Sequence, residues 1–304
     1  DRTALLCKAD LVTNMVNEFP ELQGVMGREY AKLSGEGEDV ATGIFEHYLP
    51  RFAGDDLPGS KTGTVVGLAD RMDTIVGSFA VGMIPTGSQD PYGLRRRTLA
   101  VLQIVLDQKL EISINQLIDW SMAAYGELVT NPEEVRQEVH DFFDQRFRVV
   151  LLEMGFRYDL VDAVMAVASD DPCDCLQRLE VLQSTADSES FTRLLTGFHR
   201  AANLVDKQGV PSISLTDSVL TEAAEKQLFA ALEAREEPLQ NLLQARDYRG
   251  VEEMLAELQE PIDRFFDEVM VMVEDETQRN IRLALLGKVV AMMTQMADLR
   301  KVVQ

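Results

Sequence analysis

Residues 6–31 read LCKADLVTNMVNEFPELQGVMGREYA, and this stretch decides the fold. Leu6, Ala9, Asp10, Thr13, Val16 and Asn17 share one turn-by-turn row, with Leu5, Val12, Met15 and Phe19 beside it. Spacings of three and four predict a helix with an apolar face turned to a core. Pro20 ends that helix, because the residue before a proline avoids the α region. A second apolar series, Leu22, Val25, Met26 and Tyr30, predicts a helix beyond the proline corner.

The same periodicity continues through the chain. Helices are predicted through Val40–Tyr48, Val65–Val76, Leu94–Leu106, Ile114–Tyr125 and, from an Asn131 cap with Pro132 at the first position, through Val135 to Gly155. A short helix, Leu160–Ala168, ends in the polar loop Ser169–Pro172. Phe191 to Lys207 follows, then helices through Leu220–Glu236, Leu239–Ala245, Val251–Leu258 and Ile262–Val273, and a last one from about Glu276. The β-branched residues sit at helical spacing, so no strand is expected and the fold class is all-α.

With 304 residues and 46% hydrophobic content the chain can bury a substantial core. No apolar run is long enough for a membrane crossing, and no signal peptide opens the chain. Three cysteines argue against a disulfide framework and fit a cytoplasmic location. Cys173 and Cys175 lack a second Cys or His pair to complete a zinc shell, so they read as loop or helix-start thiols.

Charge pulls the other way from any nucleic-acid function. The chain has 29 basic and 51 acidic residues, a net charge of −22. Residues 1–110 hold 11 basic and 15 acidic, so 18 basic and 36 acidic remain for the rest. Such a field repels a polyanion, so RNA contact requires local basic faces. Arg95-Arg96-Arg97 is the densest cluster and opens a helix, where backbone N–H groups also favour phosphate. It can equally be explained by one arginine pairing with Asp90 and another being solvated. A second candidate is the polar stripe Arg193, Thr196, Arg200, Asn203 and Lys207, opposite an apolar stripe from Phe191 to Val205. Arg279 and Arg282 lie one turn apart on the last helix.

These segments together resemble the beta subunit of bacterial glycyl-tRNA synthetase. The resemblance is carried by residues 8–31, EHYLPRFAGDDLP (46–58), LADRMDTIVGSFAVG (68–82), PTGSQDPYGLRR (85–96) and PIDRFFDEVMVMVEDE (261–276). It implies a piece of a longer chain whose N-terminal portion is absent. It also implies three parts: an HD-like helical domain over 1–112, a helical connector over 113–185, and a DALR-type anticodon-binding bundle over 186–304.

The HD-like part is degenerate. Active HD phosphohydrolases hold a metal with histidines and aspartates around a His-Asp pair. Here Ala9-Asp10 stands in that place, and Asp70 could stand for the distal aspartate. Two carboxylates without imidazoles make a poor transition-metal site, so Asp10 and Asp70 are expected to be a hydrogen-bonding set rather than metal ligands. His47, His140 and His199 show no ligand spacing. In the bundle, Gly197–Lys207 resembles the family's helix, but His199-Arg200-Ala201 replaces its Lys-Arg-Val, so Arg200 and Asn203 carry over and the lysine does not. At Arg279-Asn280-Ile281-Arg282 both arginines match while the asparagine is displaced by one position. One residue turns a side chain by about 100° on a helix, so no role is transferred to Asn280.

The resemblance implies a tRNA(Gly)-binding piece of an ATP-dependent ligase of two alpha and two beta chains, with no DNA and no membrane partner. ATP and Mg2+ belong to the alpha chain; no cofactor and no catalytic residue are expected here. The candidate tRNA contacts are Arg193, Arg200, Asn203, Lys207, Arg279, Arg282, Arg95 and Arg96. Two other readings stay open at this point: an acidic helical protein-interaction module, and a metal-dependent HD-type phosphohydrolase.

Overall fold

The chain folds as helices joined by turns and longer loops, seen in a computed structural model that describes residues 1–303. Eight helices come first: α1 (Arg2–Leu6), α2 (Asn14–Glu18), α3 (Val25–Leu33), α4 (Glu38–Glu46), α5 (Lys61–Ala80), α6 (Leu94–Asp107), α7 (Ile114–Tyr125) and α8 (Pro132–Glu153). Seven follow: α9 (Tyr158–Ala168), α10 (Pro172–Thr185), α11 (Glu189–Gln208), α12 (Ala223–Gln244), α13 (Tyr248–Ala256), α14 (Gln259–Glu268) and α15 (Glu276–Met293). Among the described residues the only β pairing is an isolated bridge, Thr86 with Gln89. The chain is all-α, and among the described residues no helix is long and apolar enough to cross a membrane.

Contacts divide the chain into two units. The first holds residues 1–150 and 170–173; the second holds 151–169 and 174–304. The segment read as a connector, 113–185, is thus shared between them.

In the first unit α5 packs against α4, α6 and α7. Ile75, Val76, Leu94, Leu102, Ile118 and Phe143 are buried there. Two helix starts in this unit are fixed by side chains. Ser60 accepts the Gly63 N–H at the start of α5, and Asp90 accepts the Leu94 and Arg95 N–H groups at 2.7 and 3.0 Å at the start of α6. Arg71, 4% exposed, donates to the carbonyls of Gly67, His47, Tyr48, Leu49 and Pro50 at 2.7–3.3 Å. It therefore pins the chain leaving α4 onto α5. In the second unit α11 lies against α15 and α14, and α12 against α13, α14 and α15. Phe198, Leu228, Phe265, Leu285 and Val289 are fully buried.

The opening stretch departs from its periodicity. The predicted helix from Leu6 to Phe19 is broken into α1, a 3-10 turn at Ala9–Val12, and α2. Thr13 supplies the reason: its hydroxyl donates to the Asp10 carbonyl at 2.7 Å and accepts from the Val16 N–H, starting a new helix. The faces shift as well. Leu5, Val12, Met15 and Phe19 are exposed, Val12 to 89%, while Cys7, Asp10 and Val16 are buried. A second departure is α12, which runs through Pro238 where two helices were expected. Leu232 and Leu239, on either side of the proline, are both buried, and this packing outweighs the lost N–H. Cys173 and Cys175 lie buried in the first turn of α10, and no cysteine is in a disulfide.

Asp10 is the polar pin of this region. It is 2% exposed, and its Oδ2 accepts the Gly24 N–H at 2.6 Å and the Gly27 N–H at 3.2 Å, capping α3 from outside. Gly24 has φ +77°, and a Cβ there would meet the Tyr48 ring at 2.6 Å. A Cβ on Gly27 would meet Ile44 Cγ2 at 2.7 Å and Asp10 Oδ2 at 3.0 Å. Gly27→Ala is accordingly expected to destabilise the chain by about 1–3 kcal/mol, read as a lower urea midpoint.

Acid sensitivity follows from Arg51 and Asp55. The Arg51 guanidinium donates to both Asp55 oxygens at 2.8 and 3.0 Å and holds the carboxyl down at about 2. A carboxyl depressed on folding contributes stability that is present above its unfolded value of about 3.9 and is lost as pH falls through its folded value. Asp55→Asn should therefore flatten the fall in melting temperature between about pH 4 and pH 2. An unchanged acid limb in the variant would refute that assignment.

Candidate nucleic-acid interface

The stripe on α11 emerges as expected from its periodicity. Phe191, Leu194, Leu195, Phe198, Ala201, Ala202 and Val205 are buried, and Arg193, Arg200, Asn203 and Lys207 are exposed. Their partners differ. Arg193 is ion-paired with Glu189 one turn earlier, both well exposed. Such a pair contributes about 0.3–0.5 kcal/mol, too little to withhold Arg193 from a ligand. Among the described residues no ion pair holds Arg200 or Lys207. The Arg200 guanidinium lies over the Phe266 ring of α14, 4.1 Å from its centroid. That stacking orients the side chain while leaving its charge uncompensated.

One acid stands among these positions. Asp206 would weaken the face, but Arg300 Nη1 lies 3.5 Å from it while also gripping Asp298 at 2.7 Å. Arg300, shared between Asp206 and Asp298, brings no free charge, and the exposed Lys301 is the cation added near the end of α11. Both were missed in the sequence; the adjacent pair Arg300-Lys301 was the available signal.

Arg282 is corrected by the structure. It is 4% exposed, with Nε donating to Glu225 Oε1 at 2.6 Å and Nη1 to the Met270 carbonyl at 2.9 Å. Burial raises the Glu225 carboxyl, but the Arg282 hydrogen bond and the Glu222 and Thr221 N–H groups outweigh it and bring it below the ordinary glutamate value. A guanidinium locked this way ties α15 to α12 and offers nothing to a polynucleotide. Arg279 is half-buried and donates to the Val273 carbonyl at 3.1 Å, holding the start of α15 to the preceding loop.

The arginine cluster of the first unit splits three ways. Arg95 donates to the Gly87 carbonyl at 2.8 Å, and Arg97 lies 3.4 Å from Asp70. Arg96 is exposed, with no ion pair among the described residues. Asp90 pairs with none of them through its side chain; it caps the helix instead.

The Asp10 and Asp70 carboxylates have separate partners. Asp10 serves the N–H groups of Gly24 and Gly27, whereas Asp70 lies 3.1 Å from the Lys8 ammonium and 3.4 Å from Arg97. Among the described residues no three His, Cys, Asp or Glu side chains gather as a metal shell. An ammonium and a guanidinium on Asp70 occupy the lone pairs a metal would need, so the donor set does not fit the HD metal.

Sequence comparison decides what kind of chain carries this face. A family model described as glycyl-tRNA synthetase beta subunit matches residues 1–166, and one described as DALR anticodon binding domain matches residues 192–302. The chain belongs to the glycyl-tRNA synthetase beta-subunit family. It is 44% identical over 305 residues to the glycine–tRNA ligase beta subunit of Desulforamulus reducens, covering 99% of this chain and 44% of that protein. The counterpart from Moorella thermoacetica is 45% identical over 307 residues, covering 100% of this chain and 44% of the relative. The one from Acinetobacter baumannii strain ATCC 17978 is 39% identical over 298 residues, covering 98% and 43%. The chain thus spans less than half the length of the curated relatives it matches. The DALR match contains all of α11 from Thr192 onward and therefore the whole Arg193–Lys207 stripe.

The two fates of arginine in this bundle are separable by stability. Arg282→Ala leaves Glu225 buried and unpaired and is expected to cost about 3–5 kcal/mol. Arg200→Ala removes an exposed stacking contact and should cost about 0.5–1 kcal/mol. Urea unfolding of both variants checks this, and equal losses would contradict the assignment.

Proposed function

We propose that this chain is the tRNA-gripping part of a glycyl-tRNA synthetase beta subunit, and that the exposed face of α11 contacts the anticodon loop of tRNA(Gly). The observation that carries this reading is the unpaired, aromatic-stacked Arg200 beside Asn203 and Lys207, on the helix that the anticodon-binding family model covers. Arg and Asn side chains form hydrogen bonds with base edges, and unpaired loop bases are where proteins read RNA sequence. Lys207 supplies phosphate attraction at one end of the stripe and Arg193 at the other, about four helical turns away.

In this reading the alpha chain supplies glycine activation with ATP and Mg2+, and the assembly contains two alpha and two beta chains in the cytoplasm. The beta chain's contribution is positioning. Holding a tRNA by its anticodon loop fixes where its reactive end goes, which lowers the entropic part of the barrier at another chain's active site. The degenerate HD-like unit has no role in bond-making. The hydrolase alternative loses its support because Asp70 is already bonded to Lys8 and Arg97.

Titration of tRNA(Gly) and an anticodon-substituted copy into the protein, at two salt concentrations, tests the proposal. The native tRNA is expected to bind about tenfold more tightly than the substituted one, and Arg200→Ala to abolish most of that difference. Equal, negligible affinity for both at low salt would instead favour an acidic protein-interaction module.

A further inference from the structure

Within the first unit, a cavity of about 500 Å3 opens between Lys8, His47, Tyr48, Asp70, Arg96 and Arg97, with Arg51 and Arg71 also in its wall. This is a nucleotide-sized space. Its charge is opposite to that of the chain. Five cationic side chains line it, against three neighbouring carboxylates: Asp70, shared by Lys8 and Arg97; Asp55, held by Arg51; and Asp10, which acts on Tyr48 and accepts two backbone N–H groups. Arg71 is surrounded by carbonyls alone and Arg96 has no ion pair among the described residues, so positive charge is left over.

A second observation points to a ligand. His47 is 0% exposed, and its Nδ1 lies 2.6 Å from the Ile44 carbonyl, so Nδ1 carries the proton and Nε2 is a lone-pair acceptor. That Nε2 has no partner, and neither does the buried Tyr48 hydroxyl beside it. Burial, with Lys8 nearby, lowers the imidazole to about 4 and keeps it neutral. Unpartnered buried groups of this kind are destabilising, and a ligand with a hydroxyl donor and anionic oxygens would satisfy them.

We propose that this cavity is a non-hydrolytic receptor for a hydroxylated phosphate monoester of nucleotide size. Guanidinium groups hold phosphate oxygens by charge-assisted pairs, and the histidine and tyrosine take the sugar hydroxyl and a further oxygen. The phosphate could come from a free nucleotide or from the 5′ end of an RNA; the chemistry is the same. The site shares no residue with the α11 face, so its failure and that of the anticodon reading are distinguishable.

The test titrates AMP, inorganic phosphate, adenosine, and an RNA oligonucleotide with and without a 5′-phosphate into the protein carrying this chain, followed by calorimetry and phosphorus NMR. Wild type is compared with Arg96→Ala and Lys8→Met. Saturable AMP binding, weakened about tenfold in Arg96→Ala, is expected, with adenosine competing poorly. Comparison within one assembly cancels any nucleotide bound elsewhere, and circular dichroism confirms that the exposed Arg96 variant stays folded. Tighter binding of the phosphorylated oligonucleotide than of AMP would place the phosphate on RNA and support the receptor. No phosphate-dependent difference between wild type and either variant, adenosine competing as well as AMP, or release of phosphate from AMP would overturn it.

Discussion

In a chain with a net charge of −22, the decisive constraint is the shortage of unpaired cations. Any guanidinium within reach of a carboxylate is spent on it, and most are. Arg2 meets Glu36, Arg136 meets Asp119 and Glu133, Arg157 meets Asp159, Arg235 meets Glu257, and Arg282 meets Glu225. A surface that attracts a polyanion can exist here only where the fold keeps carboxylates away or turns them to another basic group. The end of α11 uses the second device, with Arg300 beside Asp206, and Arg200 uses an aromatic ring in place of an acid.

The fold uses the remaining polar groups as pins, which is why they are buried. Arg71 collects five carbonyls from the turn after α4 and from α5, and Asp10 caps α3 through two amides. Burial lowers the Arg71 guanidinium to about 10, still charged at neutral pH. Each of these groups stands where a long apolar side chain could have packed but could not have satisfied exposed backbone ends.

Most helices were legible because their apolar faces repeat every three to four residues, and α7 and α11 begin and end close to where that repeat does. The opening stretch misled because Thr13 and Asp10 offer the backbone hydrogen bonds that compete with a continuous helix, and periodicity does not register such competition. The α11 face was readable from one helix. Arg282 was not, because its partner Glu225 lies 57 residues away and only packing brings the two together. The cavity was still less visible: its cations come from residues 8, 51, 71, 96 and 97, and only the last two are neighbours in sequence.

The scarcity of free charge also determines how such a face must work. Affinity from counterion release grows with the number of phosphates neutralised, and a stripe offering Arg193, Arg200 and Lys207 neutralises few. Acidic surface elsewhere subtracts from that attraction. On the proposed reading, binding built this way rests on short contacts made after encounter, where the exposed Arg200 guanidinium, oriented over Phe266, and the Asn203 amide would meet the bases. A strongly acidic chain is therefore compatible with selective RNA recognition, because its net field penalises every transcript alike while contacts on the proposed α11 face would favour the one whose loop fits.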